Sequence, residues 1–297
     1  MHTLGGDARR RQPREARQYG HRVTPRKPRR CGFHAPTLGR GPPESQDRDA
    51  AALARTAGGR GRVRSVPRSP ARVTVIGAPP TPGGPDLMAV PDLHGRMGLL
   101  RALLNDYPGR RFVFLGDALD YGNEVPAVVG VLLALHAAGR ATLLLGNHEL
   151  MAAQAARGDP ADGRLWLTSG GAATIRAYVQ GGDANLERYQ ADLNALLRVS
   201  RPYLIEGGVL FAHAARPDAP ALMGGPSERH YWAAPSQPLE PLPEGVYLSV
   251  HGHSPRPAPL LDWDRGVAYL DLGGRGMAVL DCRDWSLKVI SSGARGS

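Results

Sequence analysis

The sequence predicts an α/β fold with two sheets packed on each other and helices outside. Three observations carry that expectation. Between residues 86 and 150, short apolar β-rich runs alternate with helical stretches in a βαβαβα series. Polar side chains stand just after each strand, at the edge where open α/β sheets bind their ligands. Further on, five more strand-like runs are separated by Pro- and Gly-rich loops, which predicts a second sheet packed on the first.

Taken in order, Leu87–Val90 reads as a short strand that runs into the loop PDLHG. Met97–Asp106 carries apolar residues at helical spacing. Arg111–Gly116 is a buried strand, followed by the loop DALDYGNE. Val125–Ala138 is the longest apolar stretch; it contains Gly130 and His136 and reads as a buried helix stopped by Gly139 as C-cap. Ala141–Gly146 is the third strand, and NHELMAA after it is a loop and helix start.

The second half is less regular. Ala172–Gln180 and Asn185–Val199 read as helices. Val209–His213, Tyr247–His251, Val267–Leu272, Met277–Cys282 and Ser286–Ile290 read as strands. A long Pro- and Gly-rich loop spans Pro217–Pro243, and no internal repeat is present.

Charge divides the chain unevenly. The 297 residues carry a net charge of +10, yet residues 1–85 hold 17 Arg and one Lys against five acidic residues. The remainder is therefore slightly acidic, as an ordinary globular domain is. Residues 1–85 lack hydrophobic periodicity until Val73–Ile76 and read as a basic, disordered tail or the product of a start codon placed too early, with Met88 four residues before Asp92. The folded domain is expected over residues 86–297. A basic arm without interleaved aromatics implies at most nonspecific contact with nucleic acid.

No apolar run approaches the ~18–20 residues of a membrane-spanning helix, and the basic start has no apolar core of a secretory signal. Two cysteines, Cys31 and Cys282, build neither a disulfide framework nor a zinc ribbon. A cytoplasmic protein with no membrane partner is the expectation.

Five segments at strand ends carry the chemistry: Asp92 and His94 in PDLHG, Asp117 and Asp120 in GDALDYG, Asn147, His148 and Glu149 in GNHE, His213 in FAHAARP, and His251 and His253 in VHGHSP. Mixed carboxylate, imidazole and amide-oxygen ligands suit Mn²⁺, Fe or Zn²⁺ better than an all-oxygen Mg²⁺ site. A bridging carboxylate holds two such ions roughly 3.5–4 Å apart, where they lower the pKa of a shared water and neutralise charge on a phosphoryl group. A protonated side chain must still meet the leaving oxygen. Each piece alone is a weak signal, because a lone His is more often structural than a ligand. The ordered set, each member after an apolar strand, is a strong one.

In that order the segments resemble the motif series of the calcineurin-like metallophosphoesterases, and most closely the phosphoprotein phosphatase branch, whose bacterial members include Ser/Thr protein phosphatases and symmetrical dinucleoside tetraphosphatases. LWLTSGGAATIRAY (Leu165–Tyr178) and VAYLDLGGRGMAVLD support the resemblance, which runs from about Leu87 to Val289. It implies a sandwich of two mixed β-sheets flanked by helices. It also implies a phosphatase acting on a phosphorylated protein or small phosphate ester through a dinuclear-metal-bound hydroxide, with Mn²⁺ first among the candidate ions. Asp92 and His94 would bind the first ion, Asp117 would bridge, and Asn147, His213 and His253 would complete the second. His148 would be the general acid, oriented by Asp120. His251 is expected to be structural or to support a ligand, and Glu149 to begin a helix.

The departures concern substrate. Where the family writes GDxxDRG, Tyr121 replaces the Arg that grips phosphate, and Leu145 stands where an Arg often precedes GNHE. Pro91 replaces the usual first Gly, and Ala233 follows Trp232 where relatives carry Arg. Two readings stay open. Arg216, Arg256 or Arg96 substitutes, with Arg216 favoured because it lies three residues after His213; or Tyr121 stacks on a base or ring of the substrate. A serine/threonine protein phosphatase is the leading expectation, with a dinucleoside polyphosphate hydrolase or nucleotide phosphodiesterase as alternatives. A non-catalytic phosphate-binding module is the rival from another class.

Overall fold

A computed structural model describes residues 73–180, 185–224 and 229–291. Residues 1–72, most of the expected tail, lie outside the described residues. Eleven strands are present among the described residues: β1 (Thr74–Ile76), β2 (Met88–Val90), β3 (Phe112–Phe114), β4 (Ala141–Leu143), β5 (Tyr203–Glu206), β6 (Val209–Ala212), β7 (Leu248–His251), β8 (Leu260–Asp262), β9 (Val267–Tyr269), β10 (Met277–Asp281) and β11 (Ser286–Ile290). The helices are α1 (Met97–Asp106), α2 (Val125–Ala137), α3 (Asn147–Ala155), α4 (Pro160–Trp166), α5 (Ala172–Val179), α6 (Asn185–Val199), α7 (Ala219–Leu222) and α8 (Arg229–Trp232).

One sheet has the order β11-β10-β2-β3-β4, with β2, β3 and β4 parallel and β10 antiparallel to both β2 and β11. The other has the order β1-β8-β9-β7-β6-β5, with β6, β7 and β9 mutually parallel along the sheet. Both are mixed, as expected. The expectation that the whole late run of strands forms the second sheet needs correction: β10 and β11 return to the first sheet, where β10 pairs with β2. Upstream of residue 86, β1 pairs in parallel with β8 through Thr74↔Leu260 to Ile76↔Asp262.

Strand alternation explains the layering. Side chains on successive strand residues point to opposite faces. Met88, Val90, Phe112 and Phe114 face one way and join α1, α2 and α6 through Leu100, Val128 and Leu193. Leu87, Ala89, Val113 and Leu115 face the other way and meet Phe211, Val250 and Ala268 of the six-stranded sheet. Runs buried on both faces read as continuously apolar, which is how these strands appear in the sequence.

Local chemistry sets the helix ends. Gly139 adopts φ 68 after α2; its N–H reaches the carbonyl of His136, and that of Arg140 reaches Leu135, the paired bonds of a Schellman stop. Neither Asp120 nor Asn123 caps α2, whose N-cap residue is Glu124 with no side-chain bond. No helix among the described residues is long and apolar enough to cross a membrane.

Candidate metal centre and active site

The polar segments after β2, β3, β4, β6 and β7 meet at the carboxyl ends of parallel strands from both sheets. The loops after β3 and β4 touch. A Cβ on Gly116 would lie 2.6 Å from the Gly146 nitrogen and 2.9 Å from His213 Nδ1, so only glycine allows that approach.

Strain collects in this place. Of six non-glycine residues with left-handed φ among those described, five belong to the site: His94 (45), Asp117 (53), Asp120 (70), Tyr121 (58) and His253 (65). Each such conformation costs about 1–3 kcal/mol and persists only where the surroundings hold it. Glu149 supplies part of that hold. It is buried and accepts the backbone N–H groups of Asp117 (2.9 Å), Ala118 (2.9 Å), Leu119 (3.2 Å) and Gly146 (2.9 Å). It does begin α3, as expected, and also fixes the bend that aims Asp117.

The expected ligand residues converge. His213 Nε2 lies 3.4 Å from Asp117 Oδ1 and 2.9 Å from Asn147 Oδ1. His253 Nδ1 lies 3.0 Å from the same Asn147 oxygen and 3.2 Å from His213 Nε2. On the other side of Asp117, His94 Nε2 is 3.7 Å from Asp117 Oδ2 and 3.9 Å from Asp92 Oδ2. Asp92 is oriented by the His253 backbone N–H at 2.9 and 3.1 Å.

These donors fit divalent cations. His213 Nδ1 donates to the Leu115 carbonyl (2.8 Å) and His94 Nδ1 to the Leu119 carbonyl (2.7 Å), which turns both Nε2 atoms towards the carboxylates, as in ligating histidines. His213 Nε2, His253 Nδ1 and Asn147 Oδ1 therefore lie within 3.2 Å of one another, close enough to share one cation. Charge says the same. Burial, with Asp271 and Asp117 adding to it, pushes Asp92 well above the usual carboxylate range. Burial opposes charge on His213, yet Asp117, Asp92 and the Leu115 carbonyl together drive that ring up to about 10. A pocket that forces a proton onto a fully buried imidazole calls for positive charge. Burial and the His213 charge push His253 down to about 4, so its ring is neutral and free to ligate.

His148 has the opposite environment. Burial opposes its charge, but Asp120, Asp117 and Glu149 together raise the ring above its ordinary value. Nδ1 donates to Asp120 Oδ2 at 2.6 Å, while Nε2 lies 3.8 Å from Asp117 Oδ2. Asp120 is itself clamped by the Thr174 hydroxyl at 2.6 Å and the Trp166 indole N–H at 3.1 and 3.2 Å.

A cavity of about 320 Å³ opens over these groups, lined by His94, Arg96, Asp117, Tyr121, Asn147, His148, His253, Pro255, Asp271 and Gly273. Tyr121 is 53% exposed at its mouth, with ring centroids 4.9 Å from His94 and 5.3 Å from His148.

Two expected substrate residues are not brought into this cavity. Arg216 is buried, and its guanidinium is spent on Ser249 Oγ (2.9 Å) and the carbonyls of Glu240, Arg265 and Gly266 at 2.8–2.9 Å. Proximity in sequence to His213 misled, because Arg216 turns towards Ser249 and the loop after β8. Arg256 lies over the Tyr269 ring, 5.3 Å from its centroid, and does not line the cavity. His251 is buried in β7, donates from Nδ1 to the Ala212 carbonyl at 3.0 Å, and stands outside both groups of candidate ligands.

Sequence reasoning missed Asp271, Trp166 and Thr174. Asp271 had a usable signal: it follows β9 by two residues and precedes a glycine pair, as Asp92 follows β2 by two. Trp166 and Thr174 had none, since their role depends on α4 and α5 folding back over Asp120.

A family model described as Calcineurin-like phosphoesterase matches residues 86–293. No curated protein matches the chain. Among solved structures, a cold-active protein-tyrosine phosphatase of a psychrophile Shewanella sp. is 16% identical, with 70% of this chain and 82% of that chain covered and a TM-score of 0.48. A protein serine/threonine phosphatase from Saccharomyces cerevisiae is 12% identical, covering 75% and 84%, with a TM-score of 0.44. A metallophosphoesterase from Sphaerobacter thermophilus is 15% identical, covering 69% and 87%, with a TM-score of 0.38.

Proposed function

Because the chain belongs to the calcineurin-like phosphoesterase family and is a metal-dependent phosphoester hydrolase, we propose that it is a phosphatase acting on phosphomonoesters, with phosphoserine or phosphothreonine in proteins as its leading substrate. The observation that carries this reading is geometric: Asp92, His94, Asp117, Asn147, His213 and His253 gather at one place, and His148, held by Asp120 at 2.6 Å, stands beside them with Nε2 3.8 Å from Asp117 Oδ2.

Asp92 and His94 would hold one ion, Asn147, His213 and His253 the other, and Asp117 would bridge them. Mn²⁺ is the proposed ion, with Fe or Zn²⁺ as the other metals that suit this mixed donor set. When bound, the pair would supply an acidified water and neutralise charge on the phosphoryl oxygens. The chain's own contribution is proton delivery. His148 holds its Nδ1 proton on Asp120 and gives the Nε2 proton to the leaving oxygen, which departs as a neutral alcohol. Trp166 and Thr174 keep Asp120 in place while the charge on the ring changes. The cavity, open to solvent at Tyr121, accepts a leaving group too large to be enclosed.

A second reading has one observation in its favour. Tyr121 presents a half-exposed ring beside His148, where the leaving group must pass, and a nucleobase could stack on it. That favours a dinucleoside polyphosphate as substrate.

The metal-supplemented chain tested on p-nitrophenyl phosphate, bis-p-nitrophenyl phosphate, a phosphoserine peptide and diadenosine tetraphosphate separates these readings. Preference for the peptide supports the protein phosphatase, and preference for the tetraphosphate the second reading. Turnover of the diester alone sinks both.

A further inference from the structure

We infer that Arg96 is the side chain that binds the phosphoryl group of the substrate, an assignment that rests on the phosphoester reading of the cavity. Among the residues lining that cavity, Arg96 is the one that carries a permanent positive charge.

Its guanidinium has almost nothing else to do. It makes a single long contact, from Nη1 to the Leu93 carbonyl at 3.5 Å. Among the described residues, no carboxylate lies within ion-pair distance of it, although Asp271 lines the same cavity. The Asp271 carboxylate is engaged with the Gly273 N–H at 2.8 Å. A guanidinium carries five N–H donors in a fixed fork, and a half-buried one with a single long contact to an acceptor is poised for an anion. Two phosphoryl oxygens match that fork.

The seat is shaped for this side chain. Gly274 (φ 76) lies against the guanidinium: a Cβ there would stand 2.5 Å from Nη2, 2.8 Å from Cζ and 3.0 Å from Nε. The planar group thus rests on the Gly273–Gly274 turn rather than swinging into solvent. Arg216 cannot serve, because its N–H groups are consumed inside the fold. Arg256 cannot serve from above Tyr269.

The test uses the full chain loaded with Mn²⁺, and inorganic phosphate as probe. Arg96→Gln should weaken calorimetric phosphate binding about ten- to a hundredfold, the loss expected for hydrogen bonds to a charged group. With p-nitrophenyl phosphate, KM should rise by a similar factor and kcat should change less. Arg96→Lys should recover part of the loss, since it restores charge but not the fork. Gly274→Ala should act in the same direction by displacing the guanidinium. Metal content and melting temperature of Arg96→Gln should match the parent. Phosphate binding and KM within twofold of the parent in Arg96→Gln would overturn the inference. So would a parent that binds no phosphate. Because calorimetry needs no turnover, a parent that binds phosphate through Arg96 and hydrolyses no ester would sink the phosphatase reading and leave Arg96 standing.

Discussion

His148 donates from Nδ1 to Oδ2 of Asp120 across 2.6 Å, and the carboxylate that receives it is fully buried. A buried carboxylate bonded to an imidazole favours the charged ring, and together with Asp117 and Glu149 it pushes His148 above its ordinary value against the effect of burial.

Asp120→Asn removes that charge and keeps the shape. The His148 ring should then lose its proton at lower pH, because the interaction holding the proton is gone. The alkaline limb of the kcat profile should move to lower pH, with reduced kcat at neutral pH. A limb that stays in place would show that His148 is not the group titrating.

His148→Asn should keep its metal and lose about 10²–10⁴ in kcat, the usual worth of a positioned acid. The loss should be largest for alkyl phosphates, whose leaving oxygen needs the proton most, and smallest for p-nitrophenyl phosphate. Full activity on an alkyl phosphate would remove His148 from the mechanism.

Asp117→Asn weakens the one carboxylate that faces His94, His148 and His213 together, at 3.7, 3.8 and 3.4 Å. Metal analysis should find both ions lost, and activity should fall to background. Chelation of the parent should do the same reversibly, with Mn²⁺ restoring turnover. Retention of two ions by Asp117→Asn would refute the bridging assignment.

Away from the site, Arg110 makes a two-pronged contact with Asp281 at 2.6 and 2.8 Å. Burial opposes charge on Asp281, but Arg110 and the Arg283 N–H outweigh it and hold the carboxyl at about 2. The folded value lies below the unfolded value of about 3.9. Its contribution is therefore complete above about pH 4 and is lost as pH falls through about 2. Arg110→Ala should lower stability by about 1.5–3 kcal/mol at pH 7 in denaturant titrations, a cost typical of hydrogen bonds to a charged group. The gap to the parent should narrow towards pH 2.

The main helices and strands around the site, and the residue types of the candidate metal centre, were legible along the chain. Met97–Asp106, Asn185–Val199 and Ser286–Ile290 stand at their expected bounds, because period and composition are local properties. Asp92, Asp117, Asn147, His213 and His253 were legible for the same reason, each following an apolar strand. That β10 crosses back to pair with β2 was settled by three-dimensional packing, since pairing partners lie far apart along the chain. It alone decided that Trp166 and Thr174 close over Asp120. It also decided which arginine lines the cavity. Arg216 follows His213 by three residues and yet turns into the fold, whereas Arg96 rests on a glycine nearly two hundred residues away. Spacing fixes where a backbone atom lies, but the direction of a long side chain depends on which partners the rest of the fold brings within its reach.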